Sequence, residues 1–186
     1  MPAALAAAVL LTTCTGDRSI GPSAPIGPGV LASVGTVVGQ VLVGAGDIAR
    51  CDRQNDEATA SLLDTIPGTV FTVGDNVLGG SSNPPDFNNC YGPSWGKHKD
   101  RTRPTIGHME GFSPGSATYW KYFGAAAGDS GKFYYSYDLG DWHIVVLNSG
   151  ISTLKGSTQE QWLKDDLLHH PAQCTLAMWH APLFSS

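Results

Sequence analysis

The sequence predicts an α/β fold, and two observations carry that prediction. Short apolar runs end in glycine and an acidic residue, as in residues 40–47 and 69–76. Such runs are typical of buried strands, and the terminal glycine allows the backbone to turn sharply. A helical pattern lies between them, so strand, helix and strand fit within about 35 residues. A right-handed parallel βαβ unit would place Asp47 and Asp75 at the same end of neighbouring strands.

Length and composition favour a single exported domain. With 186 residues, of which 41% are hydrophobic, the chain is long enough to build one core. The net charge of −5 argues against a nucleic-acid partner, because phosphate backbones are met by basic surfaces. Only 15% of the residues are charged, while 23 are glycine and 12 are proline. This composition favours a loop-rich extracytoplasmic protein.

The first 14 residues are predicted to be a signal peptide or a lipoprotein signal. The apolar run of residues 2–13 is too short to span a bilayer but fits the hydrophobic part of an export signal. Leu11-Thr12-Thr13-Cys14 resembles a bacterial lipoprotein box, so we expect a secreted or cell-surface protein, with lipid attachment at Cys14 as one form. The alternative is a misplaced start codon before a disordered tail. Residues 15–39, rich in Gly, Pro and Ser, are predicted to be a flexible linker to a domain spanning 40–186.

The remaining elements of this domain follow from apolar spacing and breakers. We expect a helix over 56–66, an apolar run at 104–106, an aromatic helix over 117–123, a hairpin of 132–138 with 143–148, a capped helix from Ser157 to 168, and a strand over 175–179. The aromatic helix is predicted to be core. Residues 76–103 form a long loop with a basic end, which either attracts an anionic substrate or is a solvated helix face.

Four of the apolar runs are followed by residues that can bind metals: Asp47, Asp75, His108 and His180. We expect these strands to lie side by side, so that the four side chains meet at one edge of a sheet. Oxygen and nitrogen ligands suit a divalent cation, and a carboxylate shared between two ions suits a two-metal site. The sequence therefore predicts a metal centre at this edge.

The other histidines and the cysteines are predicted to be structural. His143 lies on a strand without a motif of this kind, and the histidines at 169 and 170 are expected to face the helix dipole or solvent. Cys51 and Cys90 each follow a motif strand, which suggests a disulfide in an oxidising compartment, with two unpaired thiols as the alternative. Cys174 begins a predicted strand and is expected to be a small buried side chain.

Four motifs resemble the successive motifs of the calcineurin-like metallophosphoesterases, nearest to purple-acid-phosphatase-like bacterial members. In order they are Gly46-Asp47, Gly74-Asp75-Asn76, Gly107-His108-Met109-Glu110 and Trp179-His180-Ala181-Pro182. The resemblance covers about residues 41–186. It implies a sandwich of two mixed sheets flanked by helices, and hydrolysis of a small phosphoester with two divalent ions, which would be Zn, Mn or Fe.

The same resemblance implies roles for individual residues. Asp47 would bind the first ion, Asp75 would bridge both ions, and His180 would bind the second. Asn76 would orient a ligand or a phosphate oxygen. His108 occupies the position of the family's asparagine and could still coordinate a metal. Glu110 is the acid that follows it, so Asn76, His108 and Glu110 are the catalytic candidates.

The sequence also departs from the family pattern. Met109 occupies the position of the histidine that polarises the phosphate or protonates the leaving group, which a thioether cannot do. Ala49 and Leu78 replace a second histidine ligand and the iron-binding tyrosine of purple members. The fifth motif, Gly-His-x-His, would lie beyond Ser186, so we expect a C-terminally incomplete domain. We therefore expect a slow or impaired hydrolase, and the alternative is a non-catalytic extracytoplasmic binding domain with the same fold.

Overall fold

The computed structural model of the chain describes residues 7–11, 40–78, 86–111 and 116–182. The predicted linker 15–39 and the predicted lipid-attachment residue Cys14 lie outside these residues. Among the described residues, no helix combines the length and the apolar character needed to span a bilayer. The strands are β1 (Ala7–Leu11), β2 (Gln40–Ala45), β3 (Thr69–Thr72), β4 (Thr102–Arg103), β5 (Tyr135–Leu139), β6 (Trp142–Val146) and β7 (Cys174–Met178). The α-helices are α1 (Asn55–Leu63), α2 (Ala117–Phe123) and α3 (Thr158–His169).

The first sheet has the strand order β1-β2-β3-β4. Strand β2 pairs in parallel with β3, and β3 pairs in parallel with β4. Helix α1 connects β2 to β3, which confirms the predicted βαβ unit. Strand β1 comes from the predicted signal segment and pairs antiparallel with β2; the signal itself stays a prediction.

The second sheet has the order β5-β6-β7. Strands β5 and β6 form the predicted antiparallel hairpin, and β7 pairs in parallel with β6. The expectation that all four motif strands lie side by side was therefore wrong, because β7, the strand before His180, belongs to the other sheet. The reason is topological: α3 connects β6 to β7, so this segment is itself a βαβ unit and returns β7 to the side of β6.

Two hydrophobic clusters hold the sheets and helices together. The first lies between the sheets and joins Leu42 and Phe71 of the first sheet to Ile144, Val146 and Met178 of the second. The other packs α1, α2 and the 76–111 segment against the first sheet, and its aromatic part includes Phe87, Tyr91, Tyr119 and Phe123. The aromatic helix is thus core, as predicted. The chain is a mixed α/β structure with two small sheets and helices.

The described part of the long loop carries more structure than the sequence predicts. It forms a π-helical turn at Phe87–Tyr91 and a 3₁₀ helix at Trp95–Arg101. The fourth strand of the first sheet, β4, is Thr102–Arg103, whereas an apolar run at 104–106 was expected. Proline has no backbone N–H to donate to a sheet, so the pairing with β3 ends before Pro104.

Arg101 and Arg103, two of the basic residues at the end of this loop, have contacts within the fold. Arg101 donates hydrogen bonds to the carbonyl oxygens of Leu63, Ile66 and Gly68, at 2.7, 3.1 and 2.7 Å, and so closes the C-terminal end of α1. The guanidinium of Arg103 lies over the ring of Tyr137, at 5.1 Å. Part of the basic cluster is therefore explained by packing, which neither sequence interpretation anticipated.

The cysteines in the described part of the chain form disulfides. Cys51 is bonded to Cys90, as the sequence suggested, and this bridge ties the loop after Asp47 to the π-helical turn. Cys174 is disulfide-bonded as well and only partly buried, so the expectation of a small buried side chain was wrong. It lies on β7, an edge of the second sheet, where an alternating half-exposed pattern leaves its side chain partly open.

Candidate metal centre

Asp47 and Asp75 follow neighbouring parallel strands and remain paired through their backbones. The amide of Asp47 donates to the carbonyl oxygen of Gly74 at 3.1 Å, and the amide of Ile48 donates to that of Asp75 at 3.0 Å. Both aspartates have left-handed backbones, with φ of 53° and 49°. Among the described non-glycine residues, only Phe133 shares this feature. Such strained conformations concentrate at functional sites, and here they coincide with two predicted metal ligands.

His180 reaches Asp75 from the other sheet. Its Nε2 lies 3.4 Å from Oδ1 of Asp75, and its Nδ1 lies 2.8 Å from the carbonyl oxygen of Val73. A carbonyl oxygen can only accept, so the proton must be on Nδ1. In the neutral ring, Nε2 then directs a lone pair towards a carboxylate. That contact is favourable when a metal cation lies between the two groups or when a second proton on Nε2 makes an ion pair. A backbone carbonyl on the far nitrogen is the usual arrangement of a metal-binding histidine.

Two glycines make this approach feasible. A Cβ on Gly74, where φ is +87°, would lie 2.7 Å from the ring of His180 and 2.6 Å from the Cα of Gly107. A Cβ on Gly107 would lie 1.9 Å from the amide nitrogen of Asp75. Only glycine fits at either position, so the glycines of the second and third motifs allow the three segments to meet.

The carboxylate of Asp47 adds a second negative charge to the site. Burial raises the pKa of Asp47, repulsion by Asp75 raises it further, and His180 opposes both effects. Two carboxylates that disfavour each other's charge are stabilised by a cation. Among the described residues, the three-residue group whose donor atoms all lie within 4.8 Å is a different one, discussed below. Asp47, Asp75 and His180 are therefore not grouped as tightly as the ligands of a single ion. Wider spacing is expected of residues that bind two ions about 3.5–4 Å apart, because the ligands at the two ends are farther from each other.

The third motif supports the loop of Asp75 mainly through its backbone and its acid. The amide of Met109 donates to Oδ1 of Asp75 at 2.7 Å. The carboxylate of Glu110 accepts from the amides of Gly107, Asp75 and Val77, at 2.7, 3.1 and 3.2 Å. Glu110 is buried, and burial raises its pKa to about 7 although these backbone donors pull it down. Its geometry is that of a brace between two motif loops.

Asn76 and His108 are placed differently from each other. Asn76 is fully buried, and its amide nitrogen donates to the carbonyl oxygen of Thr105 at 3.0 Å. Its Oδ1 has no hydrogen-bond partner among the described residues, which leaves one buried acceptor for a donor or a cation. His108 is exposed, as is Met109, on the turn that precedes Glu110. The structure thus brings Asp75 and His180 together, with Asp47 and Asn76 in the adjoining loops.

The two substituted family positions lie beside this site. Ala49 is fully buried and forms an isolated parallel bridge with Val77, and the amide of Leu78 donates to the carbonyl oxygen of Ala49 at 2.8 Å. The parallel contact of the first sheet therefore continues past Asp47 and Asp75. Neither side chain offers a metal-binding atom, so any metal here would be held by the oxygen and nitrogen donors already named.

Sequence reasoning missed several contributors to these sites. The carbonyl of Val73 and the amide of Met109 act through the backbone, so residue types give no signal for them. A second group consists of His143, Asp166 and His170, whose ligand atoms all lie within 4.8 Å of one another. Its members lie on a strand and near the end of a helix, 23 or more residues apart in the sequence, and no short motif connects them.

The donor set at the first site fits a divalent metal. It combines two carboxylates, one imidazole whose proton is on the far nitrogen, and a buried amide oxygen without a described partner. These are hard and borderline ligands, which suit Zn, Mn or Fe. The imidazole and the carboxylate of Asp75 already face each other. Asp75 and His180 are therefore the residues best placed to share a metal ion, with Asp47 as a further ligand in the neighbouring loop.

Comparisons with known proteins give a partial similarity. No protein-family profile matches the chain. It is similar to purple acid phosphatase 15 of Arabidopsis thaliana, with 38% identity over 63 residues. The aligned part covers 32% of this chain and only 12% of that protein. This similarity points towards phosphoesterases, and it agrees with the family that the four motifs resemble.

Proposed function

We propose that the chain is a metal-dependent phosphoester hydrolase of the metallophosphoesterase type, built as two packed sheets flanked by helices. The observation that carries the proposal is the contact of His180 with Asp75, in which Nδ1 is committed to the Val73 carbonyl and Nε2 faces a carboxylate at 3.4 Å. A cation-binding role is the simplest reason for that pairing. The similarity to a purple acid phosphatase supplies the reaction class.

The chain's own residues have distinct tasks in this proposal. Asp47, Asp75 and His180 bind the metal centre, with His108 as a further candidate ligand from the exposed turn. A pair of divalent ions supplies charge neutralisation and polarisation of the phosphoryl group. Asn76 orients a ligand or phosphate oxygen through its unpartnered Oδ1. Glu110 keeps Asp75 in place through backbone amides, so we assign it a positioning role in the catalytic site.

The substrate and location follow from the chemistry of the chain. A small phosphoester is the proposed substrate, and the net charge of −5 disfavours nucleic acid. The disulfide between Cys51 and Cys90 suits an oxidising compartment, so we propose a secreted or cell-surface protein, with lipid attachment at Cys14 as one form.

A second candidate function is favoured by Met109. Its side chain is 38% exposed beside Asp75, where the resembled family has a histidine, and a thioether neither donates a proton nor polarises phosphate. The alternative is therefore a non-catalytic extracytoplasmic domain that binds metal or phosphoester without turnover.

One experiment separates these functions. The chain is assayed with a generic phosphodiester and a phosphomonoester in Mn²⁺ or Zn²⁺, beside Asp75→Asn, Met109→His and the surface control Asp129→Asn. A hydrolase should turn over slowly, lose activity and the metal held at this site with Asp75→Asn, and gain about 10²- to 10⁴-fold with Met109→His, the usual worth of a general acid. Asp129→Asn should match the parent because Asp129 only pairs with Lys132 on the surface.

The opposite results are equally clear. Retention of metal that Asp75→Asn removes, without turnover in both the parent and Met109→His, would establish the binding domain. Neither turnover nor metal retention would end both proposals.

A further inference from the structure

A second cluster of metal-binding side chains lies between β6 and α3. His143 on β6, Asp166 on α3 and His170 at the end of α3 present ligand atoms that are all within 4.8 Å of one another. His143 is 1% exposed and Asp166 is 8% exposed, whereas His170 is exposed. The phosphoesterase motifs include none of these residues, and the cluster is formed by a different βαβ unit from the one that carries Asp47 and Asp75.

Each buried member of the cluster is held by a further partner. Nδ1 of His143 lies 2.8 Å from Oδ1 of Asp138, and its Nε2 lies 2.8 Å from Oδ2 of Asp166. The hydroxyl of Ser136 donates to Oδ1 of Asp166 at 2.7 Å. A histidine backed by a carboxylate, and a ligating carboxylate that is itself hydrogen-bonded, are the outer partners commonly found around protein-bound metals.

His170 connects this buried pair to solvent. Its ring stacks on that of His143 with the centroids 5.0 Å apart. Its Nδ1 lies 3.0 Å from the carbonyl oxygen of Asp166, to which it donates, and 3.4 Å from Oδ1 of the same residue, so Nε2 is the nitrogen left for a metal. His170 also lines an open cavity of about 340 Å³ together with Asp138, Asp141 and Pro171. Among the described residues, no lysine or arginine lines this cavity. A cation can approach through an acidic entrance and meet two imidazoles and a carboxylate.

We propose that His143, Asp166 and His170 bind one divalent transition-metal ion, separate from the Asp47 and Asp75 centre. Two nitrogens and one carboxylate oxygen suit Zn²⁺ and its neighbours, and they do not suit Ca²⁺ or Mg²⁺, which take oxygen ligands. The ion takes the place of the proton between Nε2 of His143 and Oδ2 of Asp166, and that proton is released to solvent. Because its ligands come from β6 and from both the body and the end of α3, it fastens the helix to the second sheet.

The site is tested in a chain that lacks the first centre. Asp47→Asn with Asp75→Asn removes those carboxylates, and Zn²⁺ uptake is then measured by equilibrium dialysis with metal analysis. We expect one Zn²⁺ per chain and a rise in the thermal unfolding midpoint with Zn²⁺, because the ion binds only the folded state. Adding His170→Ala should weaken binding at least about tenfold, since even outer partners of a metal cost about 10- to 100-fold.

His169→Ala is the matched control in the same background. His169 is the adjacent exposed histidine, and its Nδ1 contacts the carbonyl oxygen of Asp165 as that of His170 contacts Asp166. Removing it should leave the Zn²⁺ affinity and the midpoint shift unchanged. No Zn²⁺ uptake in the parent background, or equal losses with His169→Ala and His170→Ala, would overturn the proposal. Neither result bears on phosphoester turnover, which is measured with Asp47 and Asp75 in place.

Discussion

Glu110 is a buried acid of the third motif, and its burial opposes the charged form of its carboxyl group. Its carboxylate gains three backbone N–H donors, but burial outweighs them and raises its pKa from 4.5 to about 7. The folded state therefore holds the proton of Glu110 more tightly than the unfolded state does. By linkage, this group favours folding in acid, and that contribution is lost as the pH rises from about 4.5 to about 7.

We expect the Glu110→Gln variant to lose this pH dependence. In the parent protein with a chelator present, the free energy of unfolding should fall by at most about 3 kcal/mol across that window, from 1.36 kcal/mol per pKa unit. Glutamine does not titrate, so its unfolding free energy should vary less over the same range. Urea denaturation at several pH values measures the difference, and Asp100→Asn, at an exposed position of the 3₁₀ helix Trp95–Arg101, should keep the parental slope. An unchanged slope in Glu110→Gln would contradict the assignment.

His143 illustrates a second balance at the scale of one side chain. Burial lowers its pKa, but hydrogen bonds to Asp138 and Asp166 outweigh burial and leave the pKa above the ordinary value. Both ring nitrogens lie 2.8 Å from a carboxylate oxygen, so the ring links Asp138 to Asp166. A structural role for His143, as the sequence predicted, is consistent with this link. Nothing in the sequence indicated that α3 would bring Asp166 and His170 next to His143.

At the scale of elements, the motif loops can approach each other only where glycine leaves the space that a Cβ would fill. Gly74 and Gly111 both have positive φ, +87° and +78°. They differ in surroundings, because a Cβ on Gly74 meets His180 and Gly107, whereas a Cβ on Gly111 has no described atom within 4 Å. This pair separates the conformational cost of an added methyl group from its steric cost.

We expect Gly74→Ala to cost more stability than Gly111→Ala. Both should lose about 1–2 kcal/mol for a left-handed backbone, and Gly74→Ala should lose a further 1–3 kcal/mol, approximately, for overpacking. Gly74→Ala should also weaken metal binding, because it displaces the ring of His180 from Asp75. Denaturant unfolding and metal dialysis of both variants provide the two measurements. Equal stability losses with equal metal affinity would show that the close approach at Gly74 does not matter.

The elements that sequence predicted correctly are those specified by local patterns. The apolar run at β2, the breaker after α1, and the capping residue Ser157, which accepts from the amide of Glu160 at 3.3 Å, each act within a few residues. The displaced strand β4 and the π-helical turn at Phe87–Tyr91 were missed because neither has a period of its own. Their positions are set by what packs on them, including the bridge to Cys51.

At the scale of the whole molecule, the candidate site exists only where two sheets meet. Asp47 and Asp75 belong to the first sheet, whereas His180 follows β7 of the second, and the sheets share the cluster of Leu42, Phe71, Ile144, Val146 and Met178. The sequence identified the ligand candidates by motif but placed all four strands in one sheet. Which sheet accepts β7 depends on the pairing of β6 and β7, a long-range choice that no local pattern encodes.

The docking of the sheets should therefore control metal affinity from a distance. Ile144 and Val145 are adjacent, fully buried residues of β6, and alternation along a strand places them on opposite faces. Ile144 belongs to the cluster between the sheets, and Val145 lies on the face shared with His143. Truncating either residue leaves a cavity, but only the cavity at Ile144 loosens the contact that carries His180 towards Asp75.

We expect Ile144→Ala to weaken metal binding at the Asp75 and His180 site, and Val145→Ala to leave it close to the parental value. Both are measured by Mn²⁺ or Zn²⁺ dialysis in a His170→Ala background, so that the second cluster contributes little. Denaturant unfolding should show a loss of about 2–5 kcal/mol for Ile144→Ala, with a smaller loss for Val145→Ala because it removes fewer atoms. Affinity losses that simply follow stability, whichever face is truncated, would mean that global loosening is responsible. A selective loss at Ile144 means that the position of His180 is set by the packing between the sheets.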